Sequence, residues 1–292
     1  MEEHPPHDLF SPLLNSNLLM GPFLLTARLF TTGVFVFYIL DELHTTRATG
    51  ALIYLAMAIQ LVGITLVAVG YKTRFAALLL ATYSIVTAIL FNGTKGWSGL
   101  FMTHMLKDLA IASGFLFLFA YGGGPISVDR PPAGGKPAGI LGNNVLMGLL
   151  LLVGRVMAAV LFLYYGTFKI LHTPQMQAYM VKHNSSVPTE LIYLAIFTQI
   201  VPPALVLLGY KTRYGALALA GFCIIATSLF HAEFGNHAEV EQFLLDFAIA
   251  GGLLFMFAYG PGPFSVDARL SRAGSAGKPA LVVEKGALSV AR

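Results

Sequence analysis

Charge is what this sequence has least of. Of its 292 residues only 11% are charged while 56% are hydrophobic, whereas a soluble globular domain carries roughly 25% charged residues. With a mean hydropathy of +0.73 there is too little polar side chain to cover a chain of this length, so most of its surface must face lipid. Cysteine is almost missing as well. The single thiol, Cys223, excludes an internal disulfide and a Cys-x-x-Cys redox pair. The first 22 residues hold Glu2, Glu3 and Asp8 but neither Lys nor Arg, which argues against a cleaved signal peptide. Alternating apolar and polar strands are lacking, which argues against a membrane barrel. The small net charge of +4 fits loop charges on one membrane face rather than nucleic-acid binding.

What is present is a series of apolar segments near the 20 residues needed to cross a hydrocarbon core of about 30 Å. They run approximately over 23–42, 51–70, 74–92, 104–121, 145–170, 190–209, 213–231 and 242–259. Apolar residues surround every face, as in helices embedded in lipid or in one another. The expected fold is all-α: a polytopic membrane protein of eight transmembrane helices. Basic residues set its orientation. Lys72, Arg74, Arg130, Lys136, Lys211, Arg213, Arg269, Arg272, Lys278, Lys285 and Arg292 share one side, against Arg47, Lys95, Lys107, Lys169 and Lys182 on the other. The positive-inside rule then places both termini in the cytoplasm of an inner (plasma) membrane.

The chain also repeats itself. Gly70-Tyr71-Lys72-Thr73-Arg74 recurs as Gly209-Tyr210-Lys211-Thr212-Arg213, and residues 109–130 match 247–268 at 15 of 22 positions. Four spans return the chain to its starting side, so two such units point the same way, as parallel repeats. The expected organisation is a cytoplasmic segment 1–22, a first four-helix unit 23–130, a Pro/Gly linker 131–144, a second unit 145–268 and a flexible tail 269–292. Unit two carries 11 additional residues within 173–190. They read equally as a cap over the bundle or as a plain connector.

At these motifs the sequence resembles the DoxX family of four-helix membrane proteins, present twice in tandem. Unit two carries the resemblance almost end to end: Gly154-Arg155, Gly166-Thr-Phe-Lys169, Gly209 to Arg213, Phe230-His231, the segment Leu-Leu-Asp246-Phe-Ala-Ile-Ala-Gly-Gly252, and Gly260-Pro-Gly-Pro-Phe-Ser-Val-Asp267. Unit one keeps Arg28, Gly70 to Arg74, Asp108 and Gly122 to Asp129, but has Asp41-Glu42 where unit two ends in Gly-x-x-Lys, and Phe91-Asn92 for Phe230-His231. The resemblance extends to the DoxD-type small subunit of thiosulfate:quinone oxidoreductase. It implies a membrane subunit or docking partner of a quinone-linked redox or oxidative-stress system, with a membrane or periplasmic redox protein as partner. It does not imply an enzyme acting alone.

Ionisable and amide groups inside a bilayer each need a reason. Arg28 and Arg155, at matched positions, are read as ion pairs to Asp129 and Asp267, tying the first span of each unit to the end of its fourth; snorkelling to lipid phosphate and direct ligand binding are the alternatives. Lys169 is positioned to neutralise Asp246. Asp108 and Asp246, near helix N-termini, read as outer-surface residues or as members of a proton relay beside Asp41 and Glu42. Gln60 and Gln199, in the middle of spans two and six, read as interhelical hydrogen-bonders or as donors to a quinone carbonyl. His44, His104, His172, His183, His231 and His237, with Glu233, Glu239 and Glu241, show no standard metal-ligand spacing. No catalytic triad, paired-carboxylate set or phosphate-cradling loop stands out, so no metal and no firmly assigned cofactor is expected, with quinone the one the family resemblance brings forward. A small-solute transporter and an assembly factor without chemistry are the competing readings.

Overall fold

The computed structural model describes residues 10–45, 50–92, 100–129, 144–184 and 186–276, and among these there is helix but no strand. The linker, except Asn144, and residues 277–292 of the tail lie outside the described residues. A short α1 (Ser11–Asn15) leads into α2 (Asn17–Thr45), α3 (Ala51–Val69) and α4 (Thr73–Thr87), which widens into a π turn at Ala88–Asn92. α5 (Leu100–Tyr121) and α6 (Asn144–Leu171) follow, then α7 (Thr173–His183), α8 (Leu191–Leu208), α9 (Thr212–Phe230), α10 (His237–Tyr259) and α11 (Val266–Ala276).

Among the described residues, eight of these helices are long and apolar enough to cross a membrane: α2 to α6 and α8 to α10. Their outward faces carry large apolar side chains such as Leu18, Leu52, Phe75 and Ile225, all more than half exposed. Water would penalise such a surface and lipid does not. The chain is an integral membrane protein.

The helices do not pack as two closed four-helix bundles side by side. They run in a ring, α2–α3–α4–α5–α6–α8–α9–α10 and back to α2, with α5 and α10 also meeting through the middle. The first span of each half therefore packs on the fourth span of the other half. α5 and α10 are the most buried spans, and their crossing explains why. A Cβ on Gly114 would lie 2.5 Å from the Gly252 Cα, so two glycines let the backbones touch where any larger residue would hold them apart. Tyr121 and Tyr259 stack at 4.3 Å near the ends of the same two helices.

One open reading of the sequence is decided here and one expectation is corrected. The extra residues in 173–190 are not a plain connector: most of them form α7, whose Met180 packs with Val187 and Ile192 in a small separate core. The stretch after Asp267 is not loose from its start, because α11 runs to Ala276. Asp267 there stands in the first turn, where a carboxylate favours helix.

Candidate functional site

At the end of the molecule bearing Gly70 and Gly209, two turns are built alike. α3 and α8 each stop at a glycine in the left-handed region, Gly70 at φ 75° and Gly209 at φ 69°. Lys72 and Lys211 follow with φ 47°. The helices α4 and α9 that start there lack a local side-chain cap, and a residue from far along the chain supplies one. Asp129 accepts from the Lys72 N–H at 2.7 Å and the Thr73 N–H at 2.7 Å. Asp267 accepts from Lys211 N–H at 2.8 Å, Thr212 N–H at 3.1 Å and Thr212 Oγ1 at 3.2 Å. A carboxylate at a helix start satisfies donors that have no intrahelical partner. Burial alone would raise the Asp129 carboxyl, but the bonds from Thr73 and Lys72, with Arg74 nearby, outweigh it and hold the group below the usual carboxylate range.

Arg28 and Arg155 sit beneath these turns, fully buried. Arg28 donates to Val67 O at 3.3 Å and to Ile126 O, and Arg155 donates to Phe264 O. Among the described residues no direct ion pair joins either arginine to Asp129 or Asp267. The arginines fasten the first spans to carbonyls in the segments that follow α5 and α10, while the aspartates hold the starts of α4 and α9 through N–H groups. No guanidinium has room beneath a side chain at these turns: a Cβ on Gly209 would collide with Arg155 Nη1.

The opposite end of the molecule holds an open-sided cavity of ≈ 810 Å³ lined by α5 to α10. Leu161, Phe162, Leu194, Ala195, Leu217 and Ile225 are among its apolar walls, and Met176, Tyr179 and Met180 of α7 also line it. The polar groups are few and gathered. Glu239, Gln242 and Asp246 all line it from α10, a spacing of three and four residues that puts them on one helix face. Asp246 Oδ1 lies 3.3 Å from Lys107 Nζ of α5, which also donates to Gln242 Oε1. Lys169 Nζ of α6 donates to Gln199 Oε1 of α8 at 2.7 Å. Nearer the end of α10, His231 Nδ1 stands 2.6 Å from Glu239 Oε2. Burial, then the Glu239 carboxylate, push the Tyr179 phenol up, which keeps it a neutral donor.

Of the candidate ligand residues, then, only Gln199 lines this cavity. Gln60 is buried between α3 and α4, donating from Nε2 to Tyr83 Oη at 2.8 Å, and Arg28 and Arg155 serve the turns. Asp246 is bonded by Lys107 and not by Lys169, because Lys169 is taken up by Gln199. Asp108, its counterpart on α5, is not part of the cavity wall. Asp41 pairs instead with His237 Nε2 at 3.0 Å. The group that sequence reasoning missed is Lys107, counted there only as a charge outside the membrane. Its signal was local: Lys107 occupies the place that Leu245 takes next to Asp246, a cation substituted for an apolar residue in otherwise matching sequence.

The sequence model of the DoxX family matches residues 150–232, a stretch that includes Arg155, Lys169, Gln199 and Cys223. The chain is 32% identical over 121 residues to the inner membrane protein YqjF of Escherichia coli (strain K12), a match spanning 41% of this chain and 92% of that protein. No solved structure matches it.

Proposed function

Because the chain belongs to the DoxX family of integral membrane proteins, we propose that it is the membrane subunit of a quinone-linked redox system, holding a lipophilic quinone in the cavity beside α7. One observation carries this reading: a cavity of ≈ 810 Å³ inside the span region, apolar on most of its wall, with its polar groups gathered around Lys107, Lys169, Gln199 and Asp246. That is the build of a site for a long lipophile with a polar head. Lys169 and Gln199 offer donors that a ring carbonyl accepts. Asp246, with Glu239 and His231 further along the wall, offers proton-exchanging groups between the head and the membrane surface. Electron transfer itself belongs to a membrane or periplasmic redox partner, since this chain's single thiol supplies no redox pair of its own.

The same reading places the protein in the inner membrane, as with its bacterial relative, with both termini in the cytoplasm by the positive-inside rule. It treats 23–130 and 145–268 as two DoxX-like units in tandem, related to the DoxD-type subunit. The matched bonding at Asp129 and Asp267, and at Arg28 and Arg155, supports that duplication. Unit two then keeps the ligand site, while unit one has Asp41-Glu42 in place of the ending that carries the lysine and lends Lys107 instead.

Isolation of the full chain from its native membrane in mild detergent tests the proposal. The expected result is a flavin-, haem- or iron–sulfur-bearing protein in the complex and extractable quinone bound to it. Solute flux catalysed by the chain alone in proteoliposomes, with no quinone bound, would favour the transporter reading and overturn this one.

A further inference from the structure

The polar end of the cavity is unevenly supplied with charge. Two ammonium groups, Lys107 and Lys169, meet one carboxylate there, Asp246. Lys107 is buried and satisfied, with Asp246 at 3.3 Å and Gln242 beside it. The one hydrogen-bond acceptor of Lys169 among the described residues is neutral, Gln199 Oε1 at 2.7 Å, and its ammonium also lies 5.4 Å from the centre of the Tyr165 ring. An ammonium has three donors, so two remain for whatever enters the cavity. Gln199 has its carbonyl occupied by that bond, which leaves its NH2 group as a further donor. The other carboxylate on the wall, Glu239, is seven residues along α10 from Asp246, about 10 Å at 1.5 Å per residue, and is held by His231 at 2.6 Å. The pole is rich in donors and short of one negative charge.

A cation held among apolar walls without a counter-charge is costly, and an arriving anion removes that cost while gaining a charge-assisted hydrogen bond. We infer that the cavity takes a long-chain lipophile whose head is an ionised oxygen acid, seated on the Lys169 ammonium with Gln199 as second donor. The shared chemistry is an O⁻ group on an apolar body, present both in a fatty carboxylate and in a hydroxyquinone that is ionised at neutral pH. This rests on the proposed function only in taking the cavity as the ligand site. It commits to the charge of the head, which that proposal leaves open.

Two matched pairs of probes test it on the full chain in lipid nanodiscs: palmitate against methyl palmitate, and an alkyl-substituted hydroxynaphthoquinone against its methyl ether. Each acid is expected to bind about tenfold or more tighter than its neutral partner, the worth of a charge-assisted bond. Lys169→Gln abolishes that preference without weakening the neutral members, and Asp246→Asn, by releasing Lys107, strengthens both acids. The wild-type comparison stands even if a variant fails to fold. The hydroxyquinone binding better than palmitate identifies the quinone as the source; the reverse identifies a fatty acid. If each neutral probe binds as well as its acid and Lys169→Gln changes nothing, the inference is overturned, while a bound neutral quinone leaves the proposed function intact. Acids bound through Lys169 with no quinone of either kind uphold the inference and remove the quinone from the proposed function.

Discussion

Lys107 and Asp246 lie 3.3 Å apart across the contact between the two most central helices, and each is there because the other is. Removing one leaves a charge among apolar walls, which costs about 3–5 kcal/mol, whereas exchanging both for apolar residues of similar size is close to neutral. Lys107→Met and Asp246→Leu should each lower the unfolding temperature in detergent sharply, and the double variant should recover most of the loss. Additive losses in the double variant would show that the two charges do not depend on each other. Asp129 makes a milder prediction. As a distant cap for α4, its replacement by Ala should cost about 0.5–2 kcal/mol. Folding lowers the pKa of this carboxyl, so its stabilisation is complete above the ordinary carboxylate range and is lost as pH falls through the lowered value. The wild type should therefore lose more stability than Asp129→Asn does on going from neutral to strongly acidic pH, as read by thermal unfolding across that range. At this scale the sequence made Arg28, Arg155, Asp129, Asp267 and Asp246 visible, because a charge in an apolar run always needs a reason. It did not tell which groups meet, since a backbone carbonyl competes for an arginine as well as a carboxylate does, and only the fold brings Val67 O or Phe264 O within reach.

At the scale of helices, glycine separates contact from cavity. Gly114 and Gly252 are where α5 and α10 touch, so Gly114→Leu forces the backbones apart and should destabilise the protein by at least the 1–3 kcal/mol typical of overpacking. Gly221 lies on α9, a helix of the ring, where it lines the cavity and a Cβ meets nothing within 4 Å. Gly221→Leu should fold at least as stably as the wild type, because leucine favours helix over glycine by roughly 0.5–1 kcal/mol. Thermal unfolding of the two variants side by side checks both expectations. The span helices were legible from apolar length alone, as were the stops at Gly70 and Gly209. The helical state of 173–183 was not, because its sequence TPQMQAYMVKH mixes polar and apolar residues without an obvious stripe. Its one clear cue was Pro174 in the first turn, where proline favours a helix start.

For the whole molecule, composition was sufficient to place the chain in a membrane and to count its spans, because the balance of polar to apolar surface is a property of the sum. The mutual packing of the halves was beyond it. A parallel duplication is equally compatible with two separate bundles and with the observed ring, in which α2 lies on α10 and α6 on α5; small residues such as Gly251, facing Thr31 and the Ala27 carbonyl across the α2–α10 contact, decide between them. One consequence is that the cavity takes Thr103 and Lys107 of α5 from the first half and the rest of its lining from the second, so residues 144–276 expressed alone should not assemble the site. The most direct measurement of the account is the lipophile content of the full chain, purified in mild detergent, compared between wild type and Gly221→Leu by extraction and mass spectrometry. The account predicts near-stoichiometric lipophile in the wild type and almost none in the equally stable variant. Equal content in both, or none in the wild type, would contradict it.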